Sequence, residues 1–449
     1  MISQNLTQEG DVNLTDRRKA WYDALSFEVR MALEDDASCF IHQSLSTPCL
    51  EVVSDCMGPY IVTSEGKKIL DFHGNNVHHV GYKNPKILEA LHQQVETLPF
   101  SPRRYTNQPA INLAKKLTKI APDELTRVLF APSGSLANSM AIKLARIYTG
   151  RHKIVSMWGS FHGAGLDTIS VGGEAVFRKD IGPLMPGVVH VPPPISYRGL
   201  WNDDPQQDRY VEYIRYVFEH EGDVGALIAE TIRDTDVQIP TKNFWQKVRA
   251  LCDEYGVVLI LDEIPIALGK TGKMFTFEHY GIVPDIVTLG KGLGGGVFPM
   301  AALLAKEKLN IAEKQSVGHF THEKTPVGCA VALAVVNYIE ENQILEHVCK
   351  LERRMYKRCM DFKAHYPIVG DFRGLGLLWG LELVTDRHTK KRACAEAEKI
   401  LYHCLANGLN FKISQGNVIT LSPPLIITEA QLNQAFDILE EALILVDKS

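Results

Sequence analysis

Between residues 76 and 325, short apolar runs alternate with stretches of helical spacing: RVLFAPSG, KIVSMWG, GVVHVP, GALIAET, VVLILDEI, DIVTLGKG and PMAALLA. Near-continuous apolar strands cannot leave a face in water, so helices must cover both sides of the sheet they form. The pattern predicts an α/β fold whose large domain, residues 76–325, holds a mostly parallel seven-stranded sheet. Such sheets bind ligands beyond the carboxyl ends of their strands. Polar residues collect at those ends: Ser133, Gly134 and Ser135, then Glu230, Asp262 and Lys291. After Pro326 a long helical stretch, broken once, leads to a strand in LGLLWGLELV and another around NVITLS. That predicts a smaller α+β domain over 326–449, joined by LDFHGNNVHHVGYKNP. Residues 1–75 are expected to supply an N-terminal helix from about Thr15 and part of that small domain.

Composition narrows the function. A net charge of -5 and a pI near 6.4 give no electrostatic reason to bind nucleic acid or an acidic membrane. Nine cysteines are scattered with no C-x-x-C pair, which points to reduced thiols and no zinc or other metal site. No stretch approaches the ~20 apolar residues of a membrane helix. The start, MISQNLTQEGDVNLTDRRKAWYDALS, has no apolar signal core. The expected location is the cytoplasm.

Three segments carry chemistry. Lys291 follows a strand within DIVTLGKGLGGG, where glycines let a ligand approach the backbone, although a lone Lys-Gly is as well explained by an exposed loop. Asp262 ends another strand, and a carboxylate there is costly unless it faces a cation. APSGSLANSMAIKLAR places Gly134, Ser135 and Asn138 where a loop becomes a helix, a geometry that suits either an anion or a plain N-cap. In GSFHGAG, Phe161 is either a stacking ring or a core side chain. An acid for a ring nitrogen and a lysine for a Schiff base are the minimum of a pyridoxal-phosphate enzyme.

The chain resembles the class III aminotransferases, a pyridoxal-phosphate family of fold type I. SGSLAN, FHGA, LCDEYGVVLILDEI, GKTGKMFTFEHYGIVPDIVTLGKGLGGG and RGLGLLWGLEL occur in the family's order. The resemblance implies that Lys291 is the Schiff-base lysine and Asp262 the acid on the pyridine nitrogen. It implies a phosphate cup at Gly134 and Ser135, ring contacts from Phe161 and Ile264, and a cofactor-site role for Glu230. Thr321, in GHFTHEKTP, matches a threonine that reaches the phosphate from a neighbouring subunit, so a homodimer or dimer of dimers is implied.

The chain also departs from the family. Pro265 replaces a glutamine that many members place near the cofactor's phenolic oxygen. Thr235 in ETIRDTDVQ and Thr420 in ITLSPPL stand where several members carry a Glu–Arg switch that grips and releases glutamate. Losing both partners argues against glutamate as amino donor. Arg103 and Arg104 in FSPRRYTNQPA, and Arg233, are candidates either for a phosphonate or phosphate oxyanion or for surface ion pairs. Together with these departures, the resemblance, which extends to lyases within the family, implies a lyase releasing ammonia from a small aminoalkyl phosphonate, such as (R)-1-hydroxy-2-aminoethylphosphonate, with phosphonoacetaldehyde as product. The alternatives are an ω-type aminotransferase using a keto acid, or an amino-alcohol phosphate phospho-lyase.

Overall fold

The structure, a computed structural model, describes residues 15–43 and 49–447. All seven apolar runs are strands of one sheet. They are β1 (Leu125–Ala131), β2 (Lys153–Met157), β3 (Val188–Val191), β4 (Val224–Glu230), β5 (Val258–Asp262), β6 (Ile286–Leu289) and β7 (Ala301–Lys306). Their spatial order is β1-β7-β6-β5-β4-β2-β3. Only β7 runs antiparallel to its neighbours; β3, β2, β4, β5 and β6 pair in parallel.

The two sheet faces have separate apolar cores, which is why these strands read as unbroken apolar runs. Leu259 and Leu261 of β5 pack with Leu227, Phe244 and Trp245 on one side. Ile260 packs with Ile228, Ile142 and Ala141 on the other. Burying each such aliphatic side chain contributes about 1.5–3 kcal/mol. Helix α1 (Gly134–Thr149) leaves β1 through Ser133, whose hydroxyl caps it by accepting from the Leu136 N–H.

Beyond the large sheet, Pro326–Glu341 and Ile344–His365 form the expected broken helix, interrupted at Gln343 with φ 52°. A second sheet contains β8 (Val369–Leu375), β9 (Leu378–Asp386), β10 (Lys412–Ser414) and β11 (Val418–Leu421) in the order β8-β9-β11-β10. In the hairpin of β10 and β11, Lys412 lies opposite Thr420. A third sheet joins distant parts of the chain: Leu409–Asn410 pairs in parallel with the strand Lys68–Asp71. That pairing carries the loop after Asp71 toward the strand ends of the large sheet. Near the N-terminus a helix spans Asp16–Ala24, capped by the Thr15 hydroxyl; residues 1–14 lie outside the described part. Among the described residues no helix is long and apolar enough to cross a membrane.

Candidate active site

The register of the central strands sets the site. Glu230, the last residue of β4, pairs with Asp262, the last of β5, and Asp262 pairs with Thr288 of β6. Their polar side chains therefore line up along one edge of the sheet, where parallel strands end together. Above them lies a cavity of about 610 Å³. Ser133, Gly134, Ser135, Phe161, Glu230, Asp262, Ile264, Pro265 and Lys291 line its sheet side. His73, Asn75, Asn76, Asn410, Lys412, Thr420 and Ser422 close it from the other sheets.

Asp262 is 2% exposed. Its Oδ2 accepts from the Asn138 amide at 2.7 Å and from His162 Nδ1 at 2.9 Å, while Oδ1 accepts from the Ile264 N–H at 3.0 Å. Asn138 is held in turn, since its own oxygen accepts from the Thr288 hydroxyl and its amide also donates to the His162 carbonyl. A buried carboxylate is tolerated only with such donors around it. The result is a fixed carboxylate at the cavity floor.

At the other end, the N-terminus of α1 faces the loop after β2. Ser135 Oγ accepts from the Ala164 N–H at 2.7 Å and lies 3.2 Å from the Thr168 hydroxyl. The approach is close enough to require glycine. A Cβ on Gly163 would sit 1.9 Å from Ser135 Oγ, and one on Gly134 would sit 2.7 Å from Ile264 Cδ1. The first turn of a helix presents unpaired N–H groups to an anion.

Between these ends stand Phe161 and Lys291. Phe161 packs against Phe177 with the rings tilted by 51° and their centres 4.8 Å apart, and it lines the cavity with 37% of its surface exposed. Glu230 fixes its backbone: one carboxylate oxygen accepts from the Phe161 N–H and the other from the Asp234 N–H. Burial pushes the Glu230 carboxyl up to about 7. Lys291 has φ 44°, in the left-handed region. A non-glycine residue pays on the order of 1 kcal/mol for that conformation, so its aim into the site is imposed by its surroundings.

Several expected residues lie elsewhere. Arg103 and Arg104 are exposed, and the Arg103 guanidinium sits 2.6 Å from both ring nitrogens of His319. Arg233 Nε lies 2.8 Å from Asp236 Oδ1, an ion pair off the hydrogen-bond line, and its guanidinium packs on Gly159. None of these arginines lines the cavity of one chain, because each has turned toward a nearer partner or toward solvent. Thr321 is exposed and also outside the cavity lining. Pro265 lines it, as do Thr235 and Thr420. Conversely, His162, His73 and Lys412 belong to the site without having been singled out as such, and Asn138, expected near an anion, instead donates to Asp262. His162 stood beside Phe161 in FHGA, and Asn138 within SGSLAN; nothing local marked Lys412.

A fixed carboxylate, a glycine-lined helix N-terminus, an aromatic face and a lysine between them suit a flat, basic heterocycle with an anionic tail. That is the chemistry of pyridoxal 5'-phosphate. Comparison with known proteins gives the same reading. The pattern of class-III aminotransferases matches residues 42–443. The chain is 49% identical to the (R)-1-hydroxy-2-aminoethylphosphonate ammonia-lyase of Vibrio splendidus (strain 12B01), over 98% of this chain and 95% of that one. It is 36% identical to the leucine/methionine racemase of Thermococcus litoralis, over 84% of this chain and 87% of that one. An amine transaminase from an uncultivated Pseudomonas species, solved with pyridoxal phosphate bound, superposes with a TM-score of 0.86 at 28% identity, covering 90% of this chain and 98% of that one. With its strand order, its cavity and these likenesses in agreement, the chain belongs to the class III aminotransferase family, fold-type I enzymes that use pyridoxal 5'-phosphate.

Proposed function

We propose that this enzyme is an ammonia-lyase that converts (R)-1-hydroxy-2-aminoethylphosphonate to phosphonoacetaldehyde and ammonia. The observation that carries this reading is the 49% identity to an ammonia-lyase of that specificity over nearly the whole of both chains. The pocket supports it, because the two positions of the family's glutamate switch hold Thr235 and Thr420, bonded to one another.

Pyridoxal phosphate, when bound, supplies an electron sink that acidifies the carbon attached to the substrate nitrogen. In our reading Asp262, braced by Asn138 and His162, holds a proton on the ring nitrogen. Gly134, Ser135 and the N–H groups of α1 would hold the cofactor's phosphate. Phe161 and Ile264 would pack on its ring, and Glu230 sets the position of Phe161. Lys291 would hold the cofactor through its amine and, once displaced by the substrate amine, would take the proton from the carbon bearing nitrogen. Hydroxide would leave the adjacent carbon and take the proton held by Lys291 as water, and the Lys291 amine would take the cofactor back. The released enamine shifts to an imine, takes up one water, and breaks into aldehyde and ammonia. One water leaves and one enters, so no oxidant or second substrate is needed.

We also place the enzyme in the cytoplasm, in phosphonate breakdown, as a homodimer or dimer of dimers with the exposed Thr321 at a subunit contact. The test is product analysis of the holoenzyme given the (R) substrate alone. Equimolar ammonia and phosphonoacetaldehyde support the lyase; an unreacted substrate removes it.

A further inference from the structure

We propose that Lys412 is the anchor for the substrate's phosphonate group, a role that rests on the lyase reading above. The argument starts from register. Lys412 of β10 is the direct antiparallel partner of Thr420 of β11. Directly opposed residues project to the same face, with Cβ atoms about 5 Å apart. Ser414, two residues along, confirms which face this is, because its Oγ lies 3.4 Å from Thr420 Oγ1. Lys412 and Thr420 both line the cavity.

Position 420 is where the resemblance led us to expect an arginine for a carboxylate. The side chain there is a neutral threonine, yet the cavity has kept a cation, displaced by one strand. The change of cation type matters. A guanidinium is a planar fork matched to a planar carboxylate, whereas an ammonium is a compact charge with donors spread around it. A tetrahedral phosphonate presents oxygens in several directions and is served by the second geometry.

Among the described residues, the lysines lining the cavity are Lys291 and Lys412. Lys291 stands at the sheet side for the cofactor. Asp234 would repel an anion, but both its oxygens accept from the Asn76 amide at 3.0 Å, which holds it against that loop. Burial first, and then the charge of Lys412, lowers the affinity of His73 for a proton. An arriving dianion would be met by Lys412, with His73 beside it.

The experiment uses purified holoenzyme, with ethylphosphonate as a non-reacting probe and (R)-1-hydroxy-2-aminoethylphosphonate as substrate. Wild type, Lys412→Met and Lys412→Arg are compared by calorimetric titration of the probe and by steady-state kinetics. Melting temperature and cofactor absorbance identify folded, loaded variants. Removing a charged hydrogen-bonding partner predicts a loss of roughly 10- to 100-fold in probe affinity and a matching rise in KM for Lys412→Met. Its kcat should change far less, and Lys412→Arg should recover most of the affinity. A folded Lys412→Met with wild-type Kd and KM overturns the anchor and leaves the lyase standing. Wild-type enzyme that releases no ammonia and does not bind ethylphosphonate overturns both.

Discussion

Thr420 Oγ1 donates a 2.8 Å hydrogen bond to the main-chain carbonyl of Thr235, joining β11 to the loop after β4 inside the cavity. Both residues occupy positions where the family resemblance places a charged pair that opens for glutamate. A hydroxyl tied to a backbone carbonyl cannot swing aside to grip a carboxylate.

That contact predicts indifference to glutamate. Titrating the pyridoxal-loaded enzyme with L-glutamate should leave the cofactor's absorbance in its aldehyde form and yield no 2-oxoglutarate. Conversion to the amine form would mean that another group of this pocket receives the α-carboxylate.

Asp262 predicts a graded series of rates. Asp262→Asn removes the charge that keeps the ring nitrogen protonated and should cost on the order of 3–6 kcal/mol of transition-state stabilisation. His162→Phe leaves the carboxylate but removes one of its donors, so its loss should be nearer 1–2 kcal/mol. Steady-state kcat with cofactor occupancy checked by absorbance measures both. An Asp262→Asn enzyme within tenfold of wild type would place this carboxylate away from the chemistry.

Glu230 predicts a pH effect on the stability of the apoenzyme. Burial raises its carboxyl from 4.5 to about 7, so the folded state binds the proton more tightly than the unfolded chain. Its contribution to stability is fully present below pH 4.5 and is lost as pH rises through about 7. The full effect is roughly 3 kcal/mol. Glu230→Gln abolishes this titration, so its Tm relative to wild type should improve between pH 5 and pH 8. Parallel Tm–pH curves for the two proteins would refute the assignment.

The large sheet was legible because parallel strands buried on both faces have no polar alternation to disguise them, and β4 and β5 read as plain apolar runs. Asp262 and Lys291 were legible because each interrupts such a run with a charge at its carboxyl end. What surrounds Asp262 was not, since Asn138 and His162 reach it from 124 and 100 residues away. Lys412 could not be found from spacing either, because its relation to Thr420 exists only through the β10–β11 pairing. The arginines show the opposite limit. Charge alone drew attention to Arg233, but Asp236, three residues on, had already taken it up.

The central claim is that the reaction needs one substrate and no amino acceptor. The most direct measurement is the rate of ammonia release from (R)-1-hydroxy-2-aminoethylphosphonate, with and without pyruvate or 2-oxoglutarate, while following alanine and glutamate. The account predicts sustained turnover with no keto acid, an unchanged rate when one is added, and no amino acid formed. Ammonia-free turnover that requires the keto acid and yields one amino acid per substrate consumed would contradict it and make this enzyme an aminotransferase.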